Sequence, residues 1–268
     1  MDLIANRTRL RPKQRGKLLW NAFRENGFVW TSLLCLYYLF SGIAEASFDR
    51  MQKRKLARNL PGISSLKANK EIWEHWNWEA GGEEWTLSPE WKDSLIQNVL
   101  RQYIQPGGHI LEIGPGAGRW TGILLQMADN FTAVDVAESC IRTCEQKFGN
   151  EPRAKFLVGS GKDLAGVDDA SVDSLWSFDA FVHINIAETA GYVREFQRVM
   201  RPGSVGVVHH GKYGGLEGGW RSDLTSVAFR ELLQDAGFKV LRQFETWSDA
   251  GKEFSVGRYH DEITVFGQ

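Results

Sequence analysis

Short apolar runs that alternate with longer amphipathic segments organise the chain from residue 105 onward. Apolar runs bounded by glycine or acidic turn residues indicate buried strands, and longer segments with spaced apolar positions indicate helices. The predicted strands are the run that begins at His109, Phe131–Val134, Ala154–Val158, Ser174–Phe178, Ser204–Val208, Lys239 to about Thr246, and Glu262–Phe266. The predicted helices are Pro89 to Tyr103, Trp120 to Met127, Glu138 to Phe148, Ala187 to Met200, and Thr225–Ala236. This alternation predicts an α/β domain.

The N-terminal part has a different pattern, in which an uncharged stretch separates two basic clusters. Gly27 to Ala44 carries no charge, is rich in leucine and aromatic residues, and has about the minimum length for crossing a bilayer core. Basic residues precede it from Arg7 to Arg24 and follow it from Arg50 to Arg58. Three interpretations stay open: a helix that dips into or lies on a membrane, a single span, and a helix packed against protein. Basic clusters on both sides favour the first interpretation, because anionic lipid at one membrane face attracts both.

These two patterns predict the domain organisation. Residues 1–69 are expected to form a basic and hydrophobic helical extension, a candidate membrane-association segment. Residues 70–268 are expected to form a single domain that opens with a Trp-rich lid at 70–104. The net charge of −1 gives no overall basic field and therefore argues against a nucleic-acid partner. Three cysteines do not make a disulfide framework, which fits a reducing cytoplasmic compartment.

A glycine-rich turn follows the first predicted strand. Its pattern is Glu112-x-Gly114-x-Gly116-x-Gly118, followed by Arg119. Glycines at such a turn let the backbone approach a ligand closely, and the helix that follows offers unpaired N–H groups. A dinucleotide site requires Gly-x-Gly-x-x-Gly with a small last residue, and Arg119 is too large for that position. Glu112 would also repel a pyrophosphate, whereas it would suit a ligand that carries an ammonium or sulfonium group.

This turn resembles motif I of the class I S-adenosylmethionine (SAM) methyltransferases, and the resemblance extends over about residues 105–268. It implies a Rossmann-like, seven-stranded sheet of order 3-2-1-4-5-7-6 whose last strand is antiparallel. It implies SAM as cofactor, with Asp135 at the end of the second strand accepting hydrogen bonds from both ribose hydroxyls. The full set of expected cofactor-binding residues is Glu112, Gly114, Gly116, Gly118, Asp135, Ser160, Gly161 and Phe178. Ser160 stands where the family usually has an acid, so Asp163 is an alternative partner for the adenine amine.

The acceptor is expected at the ends of the fourth and fifth strands. His183 and His210 are the candidate general bases, because imidazole can take a proton near neutral pH. Alternation along the fifth strand predicts that one of His209 and His210 faces the cleft. The expected substrate-binding residues are Trp85, Tyr213, Trp220 and Arg221. No metal site is predicted, although the histidines with Asp179 or Asp223 are an alternative.

The function predicted from these features is SAM-dependent methylation, with O-methylation of a small-molecule, glycan or lipid-like acceptor as the favoured reaction. The predicted location is cytoplasmic, at the cytoplasmic face of a membrane if the extension associates with lipid. Two alternatives stay open. One is a non-catalytic SAM-binding or scaffold protein at the membrane. The other, disfavoured by Arg119 and Glu112, is an NAD-dependent oxidoreductase. The identity of the acceptor and the oligomeric state are not predicted.

Overall fold

The computed structural model describes residues 12–58, 60, 62–214, 221–257 and 259–268. The chain divides into two compact units, one ending at Leu60 and the other beginning at Pro61. The predicted domain boundary after residue 69 therefore lies inside the second unit. The segment between the two boundaries belongs to that unit because Ser64 and Asn69 hydrogen-bond to the backbone of Arg221 and His183.

The first unit contains one long helix, α1 (Pro12–Arg58), which is interrupted at Gly27. The backbone of Gly27 has φ 79° and ψ 177°, a conformation that only glycine adopts readily, so two helical stretches meet there at a kink. Within the described residues, one helical segment, Leu19–Lys55, is long and apolar enough to cross a membrane by length and composition alone. Its large apolar side chains are exposed rather than packed.

The second unit is built on a seven-stranded sheet. Its strands are β1 (His109–Ile113), β2 (Asn130–Asp135), β3 (Ala154–Val158), β4 (Val172–Ser177), β5 (Met200–Gly211), β6 (Lys239–Phe244) and β9 (Asp261–Gly267). The order is β3-β2-β1-β4-β5-β9-β6, and β9 pairs antiparallel with both neighbours. This confirms the predicted topology, in which the last strand of the sheet is antiparallel.

Helices cover this sheet. They are α2 (Leu66–Glu74), α3 (Pro89–Leu95), α4 (Arg101–Tyr103), α5 (Thr121–Met127), α6 (Glu138–Phe148), α7 (Ile186–Val199) and α8 (Ser226–Asp235). Successive strand residues enter different cores: Ile110 packs with α3 and α5, whereas Leu111 packs with α7 and α8. Because side chains alternate along a strand, this shows that both faces of the sheet are buried.

Two local features differ from the sequence prediction. The helix predicted from Pro89 to Tyr103 contains a π-helical stretch, Ile96–Leu100, between α3 and α4. The loop predicted before the last strand contains a hairpin, β7 (Thr246–Asp249) and β8 (Lys252–Ser255). This hairpin packs on α3, where the indole N–H of Trp91 donates to the Ser255 carbonyl at 2.7 Å and that of Trp247 donates to Ser94 Oγ at 2.9 Å. It forms through contacts with a distant helix.

Candidate functional site

A cavity of about 460 Å³ opens at the carboxyl ends of β1, β2 and β4. Ligands of open α/β sheets bind at this edge, where the loops that follow the strands converge. The glycine turn and Asp135 form part of the wall, and Trp73, Trp85 and His183 form another part. The cavity therefore brings together residues that are far apart in the sequence.

The glycine turn shapes the floor of this cavity. Gly114 and Gly116 line it and have φ angles of 72° and 55°. A Cβ on Gly114 would lie 2.5 Å from Cβ of Ala180, so any larger residue would displace the turn that follows β4. Gly118 does not line the cavity, and a Cβ there would lie 2.7 Å from the ring of Phe148. Gly118 thus serves the packing of α6 against the turn.

Asp135 lies at the end of β2 and faces the cavity. Its Oδ2 accepts from the backbone N–H of Gly116 at 3.2 Å, and its Oδ1 accepts from that of Ala137 at 2.9 Å. Burial raises the pKa of Asp135 to about 6, and the backbone hydrogen bonds oppose that rise. A carboxylate has about four acceptor sites, so both oxygens can accept a further hydrogen bond from a ligand.

Glu112 does not line the cavity, although it directly precedes the glycines. Its side chain is buried and accepts from the hydroxyl of Thr121, at the start of α5, at 2.7 Å. Burial raises the pKa of Glu112 to about 8. The geometry gives Glu112 a positioning role between β1 and α5 instead of the predicted direct contact with the cofactor.

The turn after β3 contributes Gly161 to the wall but neither of the predicted adenine partners. Ser160 is exposed, and its Oγ accepts from the backbone N–H of Lys162 at 3.3 Å. Asp163 accepts from the backbone N–H of Ala165 at 3.4 Å and also lies off the cavity. Leu66, from α2, packs directly over Gly161. This part of the wall is therefore mainly apolar.

Four tryptophans from the lid segment form one cluster. Each ring centroid lies 5.5 to 6.1 Å from those of at least two others in the set Trp73, Trp76, Trp78 and Trp85. Three of the rings, those of Trp73, Trp78 and Trp85, line the cavity. Trp78 approaches the glycine turn so closely that a Cβ on Gly116 would be 3.0 Å from its ring. The Trp-rich segment therefore packs against the turn, and Trp85 is part of the cavity wall.

The end of β4 supplies an aromatic and a charged residue to the wall, Phe178 and Asp179. The ring of Phe178 lies 5.3 Å from that of Trp120 and 4.3 Å from that of His209. Asp179 forms an ion pair with Arg119, the residue after the last glycine of the turn. No local sequence pattern predicts this pair, because neither residue belongs to a recognisable acid–base spacing.

Of the two predicted bases, His183 lines the cavity and His210 does not. The His183 ring lies 5.0 Å from that of Trp73, and its carbonyl accepts from the Asn69 side chain at 2.8 Å. His210 is fully buried: its Nδ1 donates to the Gly211 carbonyl at 2.9 Å and its Nε2 accepts from the Thr264 hydroxyl at 2.6 Å. Burial lowers the pKa of His210 to about 4. His210 is therefore a structural residue of the β5–β9 pairing.

His209 is the histidine of β5 that points toward the cavity wall. Nδ1 of His209 accepts from the backbone N–H of Asp179 at 3.0 Å, and its Nε2 lies 3.4 Å from Asp261 Oδ2. Burial lowers the pKa of His209, which favours the neutral ring. His209 therefore contacts residues of the cavity wall without lining the cavity itself, whereas the candidate base chosen from the sequence was His210.

The predicted substrate-binding residues fall into three groups. Trp85 and Arg221 line the cavity, and Arg221 pairs with Asp261 while its guanidinium lies 5.1 Å from the centre of the Tyr259 ring. Tyr213 is 45% exposed and does not line this cavity. Trp220 lies outside the described residues. Among the residues that the structure describes, no group of three or more His, Cys, Asp or Glu could hold a metal ion.

The residues of the cavity fit an adenosyl nucleoside. The glycines of the turn leave space that a Cβ atom would fill. Asp135 presents carboxylate oxygens that can accept hydrogen bonds from ribose hydroxyls. Leu66 and Gly161 offer an apolar surface for the adenine ring. The wall then continues past Phe178 to His183, where a second ligand can lie against the first. This arrangement suits a transfer reaction between a nucleoside cofactor and a small acceptor.

Comparison with known proteins agrees with the fold. Residues 111–208 match the family model described as a methyltransferase domain. Phosphoethanolamine N-methyltransferase from Triticum aestivum is 30% identical over 110 residues, 40% of this chain, and the match spans only 21% of that protein's length.

Two solved structures share the fold of this chain. A SAM-dependent methyltransferase from Leishmania major has a TM-score of 0.61 at 11% identity, covering 81% of this chain and 90% of that one. Magnesium protoporphyrin IX methyltransferase from Synechocystis PCC 6803 with bound SAM has a TM-score of 0.55 at 13% identity, covering 76% and 96%. From the family match, the strand order and the glycine turn, we conclude that residues 111–208 carry a methyltransferase domain within a sheet of the fold that SAM-dependent methyltransferases share, and that its cofactor is S-adenosylmethionine.

Proposed function

We propose that the chain transfers a methyl group from SAM to a small-molecule, glycan or lipid-like acceptor, with an oxygen as the favoured methyl-accepting atom. The observation that carries this proposal is a single cavity that extends from the glycine turn and Asp135 to His183. SAM supplies an electrophilic methyl group on its sulfonium. The wheat relative is named for N-methylation of phosphoethanolamine and the Synechocystis neighbour for methylation of a porphyrin, which supports a small-molecule acceptor.

The roles on the cofactor side follow from the wall residues. Asp135 accepts hydrogen bonds from the ribose hydroxyls through its cavity-facing oxygens. Gly114 and Gly116 let the backbone approach the ligand, and Leu66 with Gly161 holds the adenine by apolar contact. In a displacement reaction, alignment of the two reacting groups supplies much of the rate enhancement. The rigid turn and the carboxylate of Asp135 provide that alignment.

His183 is the proposed general base for a hydroxyl acceptor. It lies in the turn after β4, and its backbone is fixed by the hydrogen bond from Asn69. Its ring packs edge-on against Trp73, which together with Trp85 limits the access of water to this part of the cavity. Exclusion of water from this part of the cavity strengthens electrostatic interactions with the acceptor. Arg221 and Asp261 provide polar contacts for the rest of the acceptor.

The proposed membrane association rests on α1 alone. Its uncharged stretch exposes large apolar side chains, such as Phe28 and Phe40 at 73% and 64%, between two basic clusters. Apolar area in contact with water is unfavourable, and an anionic bilayer would remove that contact while attracting the basic flanks. These features support a location at the cytoplasmic face of a membrane, where an amphiphilic acceptor would be within reach of the cavity.

The test is formation of S-adenosylhomocysteine from SAM in the presence of hydroxylated small molecules or a lipid extract. With an oxygen acceptor, His183→Gln should lower kcat by about 10²- to 10⁴-fold, because loss of a general base has effects of that size. His75→Gln, an exposed histidine, is the matched control and should retain the wild-type rate. Equal rates for wild type and His183→Gln would show that His183 does not act as the general base. Cofactor binding without any turnover on these acceptors would favour the non-catalytic alternative.

A further inference from the structure

Arg119 is the motif residue whose size excluded a dinucleotide turn, and the structure shows where its side chain goes. The side chain is only 5% exposed yet lines the cavity. Its guanidinium lies 4.8 Å from the centre of the Trp120 ring and 5.6 Å from that of Phe178. Nη1 donates to the Gly82 carbonyl at 3.3 Å, and Nη2 donates to Asp179. A guanidinium has five N–H donors, more than these two contacts use.

Asp179 faces Arg119 across the same part of the wall. Its backbone has φ 65°, a conformation that a non-glycine residue keeps only where its surroundings hold it. The hydrogen bond from its backbone N–H to His209 and the ion pair with Arg119 provide that support. Burial raises the pKa of Asp179, but the charges and hydrogen bonds of Arg119 and His209 together outweigh it and hold the pKa well below its usual range. At 31% exposure, the ionised carboxylate remains accessible from the cavity.

We propose that Arg119 and Asp179 together bind the amino-acid end of the cofactor, Arg119 taking its α-carboxylate and Asp179 its α-ammonium. This inference rests on the proposed function, because it needs SAM in the cavity. A zwitterion requires one fixed charge of each sign, and these two lie side by side at the glycine turn. We refer to the two residues as the Arg119–Asp179 clamp.

The other guanidinium in the described wall is less suited to this role. Arg221 reaches the cavity from beyond β5, where it pairs with Asp261 at the start of β9 and stacks on Tyr259. Arg119 follows the glycine turn directly and has the planar fork that matches a carboxylate in two hydrogen bonds. The chain thus assigns one guanidinium to the cofactor and leaves the other for the acceptor.

A competing explanation is that Arg119 only fastens the lid through the Gly82 carbonyl. The two explanations differ in the ligands that they affect. If the two residues form a clamp, substitution of Arg119 lowers the affinity of the chain only for ligands that carry the amino-acid group. If Arg119 only holds the lid, its substitution lowers the affinity of the chain equally for every adenosyl nucleoside, because the lid lies against the glycine turn that all of them would contact.

The test is calorimetric titration of the full chain with S-adenosylhomocysteine and with 5′-methylthioadenosine, which lacks the amino-acid group. In Arg119→Gln, the Kd for S-adenosylhomocysteine should rise about 10- to 100-fold, the size of effect that a lost charge-assisted hydrogen bond produces. The Kd for 5′-methylthioadenosine should stay within about twofold, a change of about 0.4 kcal/mol, because this nucleoside has no carboxylate for Arg119 to bind. Arg142→Gln, at an arginine of α6 that does not line the cavity, is the matched control and should bind both nucleosides as the wild type does.

Two further measurements keep the proposal open to refutation if Arg119→Gln does not fold. Arg119→Lys keeps the charge but loses the fork, and it should fall between wild type and Arg119→Gln. In the wild type, a decarboxylated analogue of S-adenosylhomocysteine should bind more weakly than S-adenosylhomocysteine itself. Equal wild-type affinity for S-adenosylhomocysteine, this analogue and 5′-methylthioadenosine would overturn the clamp and leave the cofactor site intact. Binding of none of these nucleosides would remove the proposed function itself.

Discussion

The two units of the chain have similar apolar side chains but opposite environments for them. In α1, Phe28 is 73% exposed and Phe40 is 64% exposed. In the sheet domain, Phe181 and Phe196 are fully buried between helices and strands. The difference arises from pattern: the strand runs are short and bounded by turns, so they can be covered on both faces, whereas the apolar stretch of α1 continues around the helix. The burial of an apolar side chain therefore depends on the sequence pattern around it as well as on its residue type.

The two units make different contributions. The sheet domain has its own core and carries every described residue of the cavity. The apolar residues of α1 are at the surface of the protein, which makes them available to a partner such as lipid. Substitutions in the two units should consequently affect different properties, stability in one and membrane binding in the other.

The largest expected effect comes from removing a buried ring. Phe181→Ala should lower the free energy of unfolding by about 3–5 kcal/mol, because it leaves a cavity in a packed core. Phe40→Ala, in the exposed stretch of α1, should change it by less than about 0.5 kcal/mol. Urea unfolding followed by circular dichroism measures both. Similar losses in the two variants would mean that Phe40 is packed in the folded protein and would contradict the contrast between the two units.

The next effect concerns the membrane. Leu36→Lys places a charge in the uncharged stretch, and insertion near a bilayer centre then becomes less favourable by about 2.5–3.5 kcal/mol. Sedimentation of the full chain with phosphatidylcholine–phosphatidylglycerol vesicles should show a clear loss of binding. Leu241→Lys, at a residue 51% exposed on β6 of the sheet domain, is the control and should bind like the wild type. Unchanged binding of Leu36→Lys would show that lipid does not cover this stretch.

The smallest effect is a pH dependence located in the sheet domain. Burial raises the pKa of Glu112 to about 8, so the folded chain holds this proton more tightly than the unfolded chain. The contribution of Glu112 to the free energy of unfolding is therefore fully present below pH 4.5, the ordinary pKa of this group in the unfolded chain. It is lost progressively as the pH rises from there through 8, the pKa in the folded chain. Between pH 6 and 8 the loss should be about 2 kcal/mol, at 1.36 kcal/mol for each pH unit.

The variant Glu112→Gln isolates that contribution. Its amide oxygen can still accept the hydrogen bond from Thr121, but it does not titrate, so the decline between pH 6 and 8 should disappear. Unfolding measured at several pH values checks this, with Glu231→Gln on the exposed side of α8 as control. A decline of wild-type size in Glu112→Gln would show that another group titrates in that range.

The sequence predicted the sheet well because its signals are local. Each strand run is bounded by turn residues, and the glycine turn with Asp135 marks the carboxyl ends of β1 and β2. The hairpin β7–β8 was missed because its own residues are mostly polar, and its two aromatic residues, Trp247 and Phe254, pack against distant Trp91 or each other. Contacts with a helix that far away in the chain have no local signature.

The site could be predicted only in part, for a related reason. In a sheet buried on both faces, hydrophobic alternation does not reveal which face borders the ligand, so His209 and His210 could not be told apart. Glu112 was placed in the cleft by its proximity to the glycines, whereas its side chain points to Thr121. Arg119 pairs with Asp179, and His209 contacts Asp261, although these residues come from separate segments. Single charged residues give no sequence pattern from which to infer such contacts.

The cavity at the ends of β1, β2 and β4 is expected to bind an adenosyl cofactor through Asp135. Calorimetric titration of the full chain with S-adenosylhomocysteine, in wild type and in Asp135→Asn, tests it most directly. One binding site per chain is expected in the wild type, with affinity about 10- to 100-fold weaker in Asp135→Asn because a charge-assisted hydrogen bond to the ribose is lost. Asp163→Asn, off the cavity, should bind as the wild type does. Absence of binding to the wild type, or equal binding to Asp135→Asn, would contradict the claim.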